Sequence, residues 1–235
     1  MNIDKNEIFH VHTYRCGHAE NVTDEEYVKK AVSIGVSGIW FTDHAPFPGD
    51  PFGNRMNYTD LAEYINTLSI LKQKYANKIT IHIGLEIEYF PSFDKDGYYN
   101  ELKANSNIEI LLLGQHMAET SPGHYTFEWD NEQLVREEYI ALGNAQIQGM
   151  KSGYFDVLAH PDRIFRRQKI WSENMSFISK QLITSTRQMS IPLEINESSK
   201  KQKHHYWQEF WNMASGIQLI YGLDAHSLDE IRLLS

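Results

Sequence analysis

Cysteine is almost missing from this chain. Cys16 is the only one in 235 residues, so no intramolecular disulfide can form and no cysteine-based zinc finger can be built. No basic-then-apolar leader precedes Glu7, which with the lone thiol points to a cytosolic protein. Apolar runs such as Ile110 to Gly114 stop far short of the ~20 residues that a spanning helix needs. Positive charge is also short: Lys plus Arg number 22 against 31 Asp plus Glu, a net charge of -9, which weighs against nucleic acid and anionic membranes as partners. No Pro/Gly/Ser-rich linker, charge block or repeat breaks the chain, and 41% of its residues are hydrophobic. One globular domain over residues 1–235 is expected.

Seven segments rich in Ile, Val, Leu, Phe and Trp read as strands: Ile8 to Thr13, Gly38 to His44, Ile79 to Tyr89, Ile108 to Met117, Phe155 to His160, Ile191 to Asn196 and Ile217 to Asp224. They are nearly continuous apolar runs, which suits parallel strands buried on both faces. Crossover helices are expected at Asp24 to Gly35, Thr59 to Tyr75, Glu132 to Met150, Ser172 to Met189 and His204 to Ser215, with a short closing helix from Leu228 and a weaker candidate at Asp96 to Asn105. Thr23 followed by Glu26 has the spacing of a capping box. An open doubly wound sheet would carry a Gly-rich phosphate loop after its first strand, and the sequence there is HVHTYRCGH. The pattern therefore predicts an α/β fold, a distorted (β/α)7 TIM-like barrel, which fits beside the ~250 residues of eight-unit barrels.

In such a barrel the reactive groups project from the carboxyl ends of the strands. Those ends hold His10 and His12, then Asp43 and His44, Glu86, His116, His160, and finally Asp224 and His226, with His18 in the first loop. Only the sixth strand, ending Glu194-Ile195-Asn196, has no obvious ligand. Residues two apart share one face of a strand, so His10 with His12 and Asp224 with His226 form pairs. A lone histidine at a strand end is ordinarily a hydrogen-bonded structural residue, but seven of the 11 gather here. Imidazoles with a few carboxylates suit Zn, Mn or Fe better than Mg or Ca.

The motifs HVHT with its downstream GH, TDH, GLEIEY, GQHM, AHPD and GLDAHS resemble those of the PHP family, the polymerase and histidinol phosphatase domain, across essentially the whole chain. The resemblance implies three divalent transition-metal ions. His10, His12, Glu86 and Asp224 would hold the first, Glu86, His116 and His160 the second, and His18, His44 and His226 the third. The stretch DHAPFPGDPFGNRMNYTDLAEYI is similar to the histidinol-phosphatase branch, whereas ETSPGHYTFEWD resembles its substrate loop only loosely. A small phosphorylated substrate, histidinol phosphate first, is what the resemblance implies, attacked by a water that the metals have deprotonated. Oligomeric state is not readable from the residues.

Asp43 is the candidate general acid or orienter of the attacking water, or else a support for His44. Arg163 and Arg55 are the candidate phosphate-binding arginines, with surface salt bridging as the alternative for each. Glu88 is a runner-up to Glu86. His82 is expected to pack in the barrel wall, while His124, His204 and His205 are expected in solvent. Tyr206, Trp207, Phe210 and Trp211 are expected to form helix core, and Cys16 lies near the site with no base to activate it. Two rival functions share these residues: a phosphoesterase acting on nucleotides or phosphodiesters, and a metal-binding module without catalysis.

Overall fold

The computed structural model describes residues 3–233. Seven strands form one sheet in the order β1 (Glu7–Val11), β2 (Gly38–Phe41), β3 (Thr80–Ile87), β4 (Ile110–Leu113), β7 (Val157–Leu158), β8 (Leu193–Asn196) and β9 (Leu219–Gly222). The pairings β1 with β2, β2 with β3, β4 with β7 and β7 with β8 are parallel. A small antiparallel pair, β5 (Glu119–Ser121) and β6 (His124–Tyr125), stands apart. It was not expected from the sequence: two and three residues around Pro122-Gly123 are too few for alternation to register. Among the described residues no helix is long and apolar enough to cross a membrane.

Contacts within the chain group into two compact units. The first comprises Met1–Glu86, Asn105–Leu111 and Tyr221–Ser235. Here β1 is hydrogen-bonded on both sides, to β2 and, through Leu223 N to Phe9 O at 2.9 Å and Ala225 N to His10 O at 3.0 Å, to the segment after β9. No edge is left at β1, as a closed sheet requires. Ile8, Phe9, Ile39, Phe41, Ile81 and Leu85 are all at most 2% exposed, in keeping with strands covered on both faces. Helices α1 (Asp24–Ser33) and α2 (Leu61–Lys74) bury Tyr27, Val28, Tyr64 and Leu68. The expected capping box opens α1, with Glu26 accepting from the Thr23 N–H at 2.8 Å. At Gly84 a Cβ would lie 2.2 Å from Ile110 Cγ2, so β3 and β4 approach only because the side chain is absent.

The second unit comprises Ile87–Ala104 and Leu112–Ile220. It contains α3 (Pro91–Lys95), α4 (Tyr98–Ala104), α5 (Glu132–Ser152), α6 (Glu173–Met189), α7 (Glu197–Lys201) and α8 (Gln208–Met213). Asn131 and Ser172 cap α5 and α6 by accepting backbone N–H groups, and Gly143 lets α5 approach Ile178 of α6, where a Cβ would lie 2.5 Å from Cγ2. The segment at Asp96 to Asn105 is helical as α4. Two sequence expectations are corrected here. The helix expected from His204 begins only at Gln208, because His204 has φ +65 and Trp207 is extended at φ -126. The closing helix at Leu228 is a single 3-10 turn, Leu228–Glu230.

Candidate metal centre

Backbone ladders of the first unit bring four strand ends together. Val11 O accepts from Thr42, Asp43 O from Glu86, and Glu86 O from Ala45, which sets residues 43 to 45 beside the end of β3. His10 and His12 share a direction for a reason that simple alternation does not supply. Register between β1 and β2 shifts between Ile8 and Val11, and His10 sits in the left-handed region at φ +67. It forms a bulge, a common device for re-aiming a side chain at an active site. Asp224 has φ +55 and His160 φ +30, so three of the nine expected ligands occupy a conformation that residues with a Cβ seldom adopt.

The result is a buried cluster of His10, His12, Glu86 and Asp224, each at most 3% exposed, whose candidate ligand atoms all lie within 4.8 Å of one another. Glu86 Oε2 is 3.2 Å from His10 Nε2, 3.3 Å from His12 Nε2 and 3.3 Å from His44 Nδ1. Asp224 Oδ1 is 3.3 Å from His12 Nε2. Burial works against a charged His12, but the Asp224 and Glu86 carboxylates outweigh it and raise its pKa to about 9. The cluster therefore draws positive charge inward.

His18, His44 and His226 form a second cluster, whose candidate ligand atoms likewise lie within 4.8 Å of one another. His18 Nδ1 lies 2.9 Å from Cys16 O, and His226 Nδ1 lies 3.0 Å from Asp224 O. A carbonyl only accepts, so each Nδ1 carries the proton and each Nε2 offers its lone pair, as a ligating imidazole should. The buried Cys16 thiol also falls within 4.8 Å of ring nitrogens of His12 and His226.

In the second unit His116 and His160 are neighbours, with ring centroids 5.1 Å apart. Glu88 is buried and its Oε1 lies 3.2 Å from His116 Nδ1, so it orients an imidazole where the sequence suggested a ligand in waiting. The sixth strand end, which showed no ligand, is a support. Glu194 Oε2 accepts from His160 N at 3.0 Å and from Asn196 Nδ2 at 3.1 Å. Arg163 donates to Asn196 Oδ1 at 2.9 Å and to Ser199 Oγ. Arg166, which no motif marks, donates to His116 O at 3.1 Å and to the buried Glu138 at 3.1 Å. Asp162 Oδ2 accepts from Trp207 N at 2.7 Å and Trp211 Nε1 at 2.8 Å. Burial pushes its pKa up to about 7 against those two donors.

The other expectations divide. Asp43 is fully buried, and its oxygens accept from Thr13 N at 2.6 Å and Thr13 Oγ1 at 2.7 Å. These two bonds make Asp43 an anchor of the loop after β1, and burial pushes its pKa up against the bonds from Thr13 and the nearby His12. Arg55 lies over Phe47 and Phe52 and donates to Ala45 O at 3.2 Å, which places it in the loop after β2 as expected. His82 stacks on Trp40 at 3.7 Å within the wall. His124 is exposed beside Glu128, whereas His204 and His205 are half-buried, contrary to expectation. Trp207, Phe210 and Trp211 are buried as core.

Do these residues suit metal ions? His226 Nε2 is buried with no hydrogen-bond partner while its Nδ1 bonds Asp224 O, a costly arrangement unless a cation takes the lone pair. The donors, imidazole nitrogen and carboxylate oxygen, are those of Zn, Mn and Fe sites. Residues 9–198 match the PHP domain family. The chain belongs to the PHP family. Among curated PHP relatives, a Deinococcus radiodurans protein named as a histidinol-phosphatase is 31% identical over 166 residues, covering 65% of this chain and 59% of its own length. The histidinol-phosphatase of Bacillus subtilis is 24% identical over 252 residues, covering 94% of both chains. Two solved structures share the fold. One is a Listeria monocytogenes protein described as a histidinol phosphatase (TM-score 0.76, 19% identity, 96% of this chain and 97% of that one). The other is the Lactococcus lactis histidinol phosphate phosphatase in complex with zinc, L-histidinol and phosphate (TM-score 0.70, 18% identity, 95% and 87%).

Proposed function

We propose that this PHP protein is a metal-dependent phosphomonoesterase whose substrate is histidinol phosphate, giving histidinol and phosphate, a step of histidine biosynthesis. One observation carries the reading: a single buried oxygen, Glu86 Oε2, lies within 3.3 Å of ring nitrogens of His10, His12 and His44, a convergence with no use in an ordinary core. The names of the two curated relatives and the ligands of the Lactococcus structure favour this substrate.

Three ions are proposed, held as the family motifs order them: His10, His12, Glu86 and Asp224; Glu86, His116 and His160; His18, His44 and His226. Bound there, divalent ions supply Lewis-acid polarisation of the phosphate and lower the pKa of water. The protein's own groups do the rest. Glu88 and Glu194 orient His116 and His160 through the ring and the backbone respectively, and the carbonyls of Cys16 and Asp224 fix the tautomers of His18 and His226. Arg163, its fork held by Asn196 and Ser199, is proposed to grip a phosphate oxygen as the ester is cleaved, with Arg55 as a second cation from the loop after β2.

The test is a panel assay on Zn- or Mn-loaded protein with histidinol phosphate, p-nitrophenyl phosphate, its bis ester and nucleotides. The proposal expects histidinol phosphate to lead in kcat/KM by at least about a hundredfold. A flat profile, or one led by nucleotides or the diester, replaces the substrate. No turnover of any ester by metal-loaded protein turns the chain into a binding module.

A further inference from the structure

We propose that Arg15 is a positioning residue for the His18, His44 and His226 centre, holding the loop after β1 so that His18 meets its two partners in ready geometry. The inference rests on the metal reading above and adds to it a residue that touches no substrate.

The loop from Thr13 to Glu20 has little regular structure to rely on. It makes one 3-10 turn, Tyr14–Cys16, and reverses at Gly17, where φ is +77. His18 itself is exposed, and its Nδ1 bond to Cys16 O ties it only to its own loop. Something else must fix that loop, and Arg15 is built to do so. Its side chain is 4% exposed. Nη1 donates to Thr13 Oγ1 at 3.1 Å and to Asp24 Oδ1 at 2.7 Å. Nε and Nη2 embrace Glu63, at 3.1 Å for Nε and at 3.0 and 3.2 Å for Nη2. Its guanidinium carbon lies 4.6 Å from the Tyr14 ring centroid and 5.6 Å from that of Tyr64.

All three guanidinium nitrogens are thus engaged within the protein, and the side chain is committed to the loop and its two helices. They tie α1, through Asp24, and α2, through Glu63 and Tyr64, to Thr13. Thr13 in turn donates twice to Asp43, the residue before His44. The same cation compensates Asp24 and Asp43, which are 3% and 0% exposed and would otherwise be buried anions in need of a partner. At the far end the loop is fastened once more, by Glu20 N to His226 O at 2.7 Å. His18 therefore stands between a clamp on Arg15 and a tie to the segment that carries His226. Lysine cannot replace that fork, having one point charge where acceptors on three residues wait.

The experiment is a competition titration of metal-stripped protein with Zn against a chromophoric chelator, using wild type, His18→Ala, Arg15→Gln, Arg15→Lys and Glu63→Gln. His18→Ala identifies the ion of this centre by its loss. Arg15→Gln is expected to weaken that same ion about tenfold or more, while the ion on His10, His12, Glu86 and Asp224 shifts less than about threefold; Arg15→Lys should fall between Gln and wild type. If Arg15→Gln does not fold, Glu63→Gln decides, since the Glu63 side chain is 56% exposed and its loss should weaken the same ion selectively. Equal affinities in Arg15→Gln and wild type, or an equal weakening of all ions, overturns the inference while His18→Ala still upholds the metal reading. Wild type that binds no divalent ion overturns both.

Discussion

His10 and Asp224 face each other across adjacent backbone segments with both residues in the left-handed region, at φ +67 and +55, and with Nε2 3.7 Å from Oδ1. Such a conformation costs an L-residue roughly 1–2 kcal/mol. It persists because the ladder fixes both: Ala225 N donates to His10 O, and His12 N donates to Ala225 O. The strain serves to turn two side chains toward Glu86 that an unbroken strand would send elsewhere.

Asparagine tolerates positive φ and alanine does not, which separates backbone from ligand effects at position 224. Without metal, Asp224→Asn is expected to melt no lower than wild type, and Asp224→Ala to be less stable than Asn by about 1 kcal/mol. Both should weaken the buried ion by about tenfold or more. Calorimetry of the stripped proteins followed by metal titration reads the two effects apart; an Asn variant with wild-type affinity would remove Asp224 from the ligand set.

Acid should weaken the protein at a point away from the metal cluster. Burial alone would raise the Glu109 carboxyl, but His82 and Lys72, both at 2.7 Å, pull its pKa down to about 2 from the ordinary 4.5. A depressed folded-state pKa gives stability that is full above 4.5 and disappears as pH falls toward 2. Glu109→Gln is thus expected to lower stability by about 1 kcal/mol at pH 7, with the gap to wild type closing between pH 4.5 and 2 in denaturant melts. A gap that stays constant over that range would contradict the assignment.

Gly84 has no room for a methyl group: its Cβ would sit 2.2 Å from Ile110 Cγ2 and 3.0 Å from Ile110 O. Gly84→Ala should destabilise by about 1–3 kcal/mol and, lying two residues before Glu86, should lower metal affinity with it. Pairing it with Ile110→Ala should return part of the loss, measured as a double-mutant cycle. Independent, additive effects would place the defect elsewhere.

Much of the site could be read from the sequence because ligands at strand ends are a property of residue type and spacing. All nine expected ligand positions lie at or just after strands, apart from His18 in its loop. What the sequence hid was conformation and support. Nothing in HVHT announces a left-handed histidine, since that signal ordinarily belongs to glycine. That Asp43 also holds Thr13 is not marked by any motif. Arg15, Glu194 and Asn196 act only through partners many residues away, so no local pattern marks them. The segment from His204 to Ser215 reads as a crossover helix, yet Trp207 N and Trp211 Nε1 are pinned by Asp162, a contact 45 residues away for Trp207 that local pattern cannot contain.

The central claim is that the converging imidazoles and carboxylates hold ions that the reaction needs. Phosphate release from histidinol phosphate, measured together with bound metal in wild type and in Glu86→Gln, tests it most directly. The account predicts that chelation abolishes turnover, that Zn or Mn restores it, and that Glu86→Gln loses metal and at least about a hundredfold in kcat/KM while keeping its fold. Full turnover by stripped wild-type protein, or by Glu86→Gln, would contradict it.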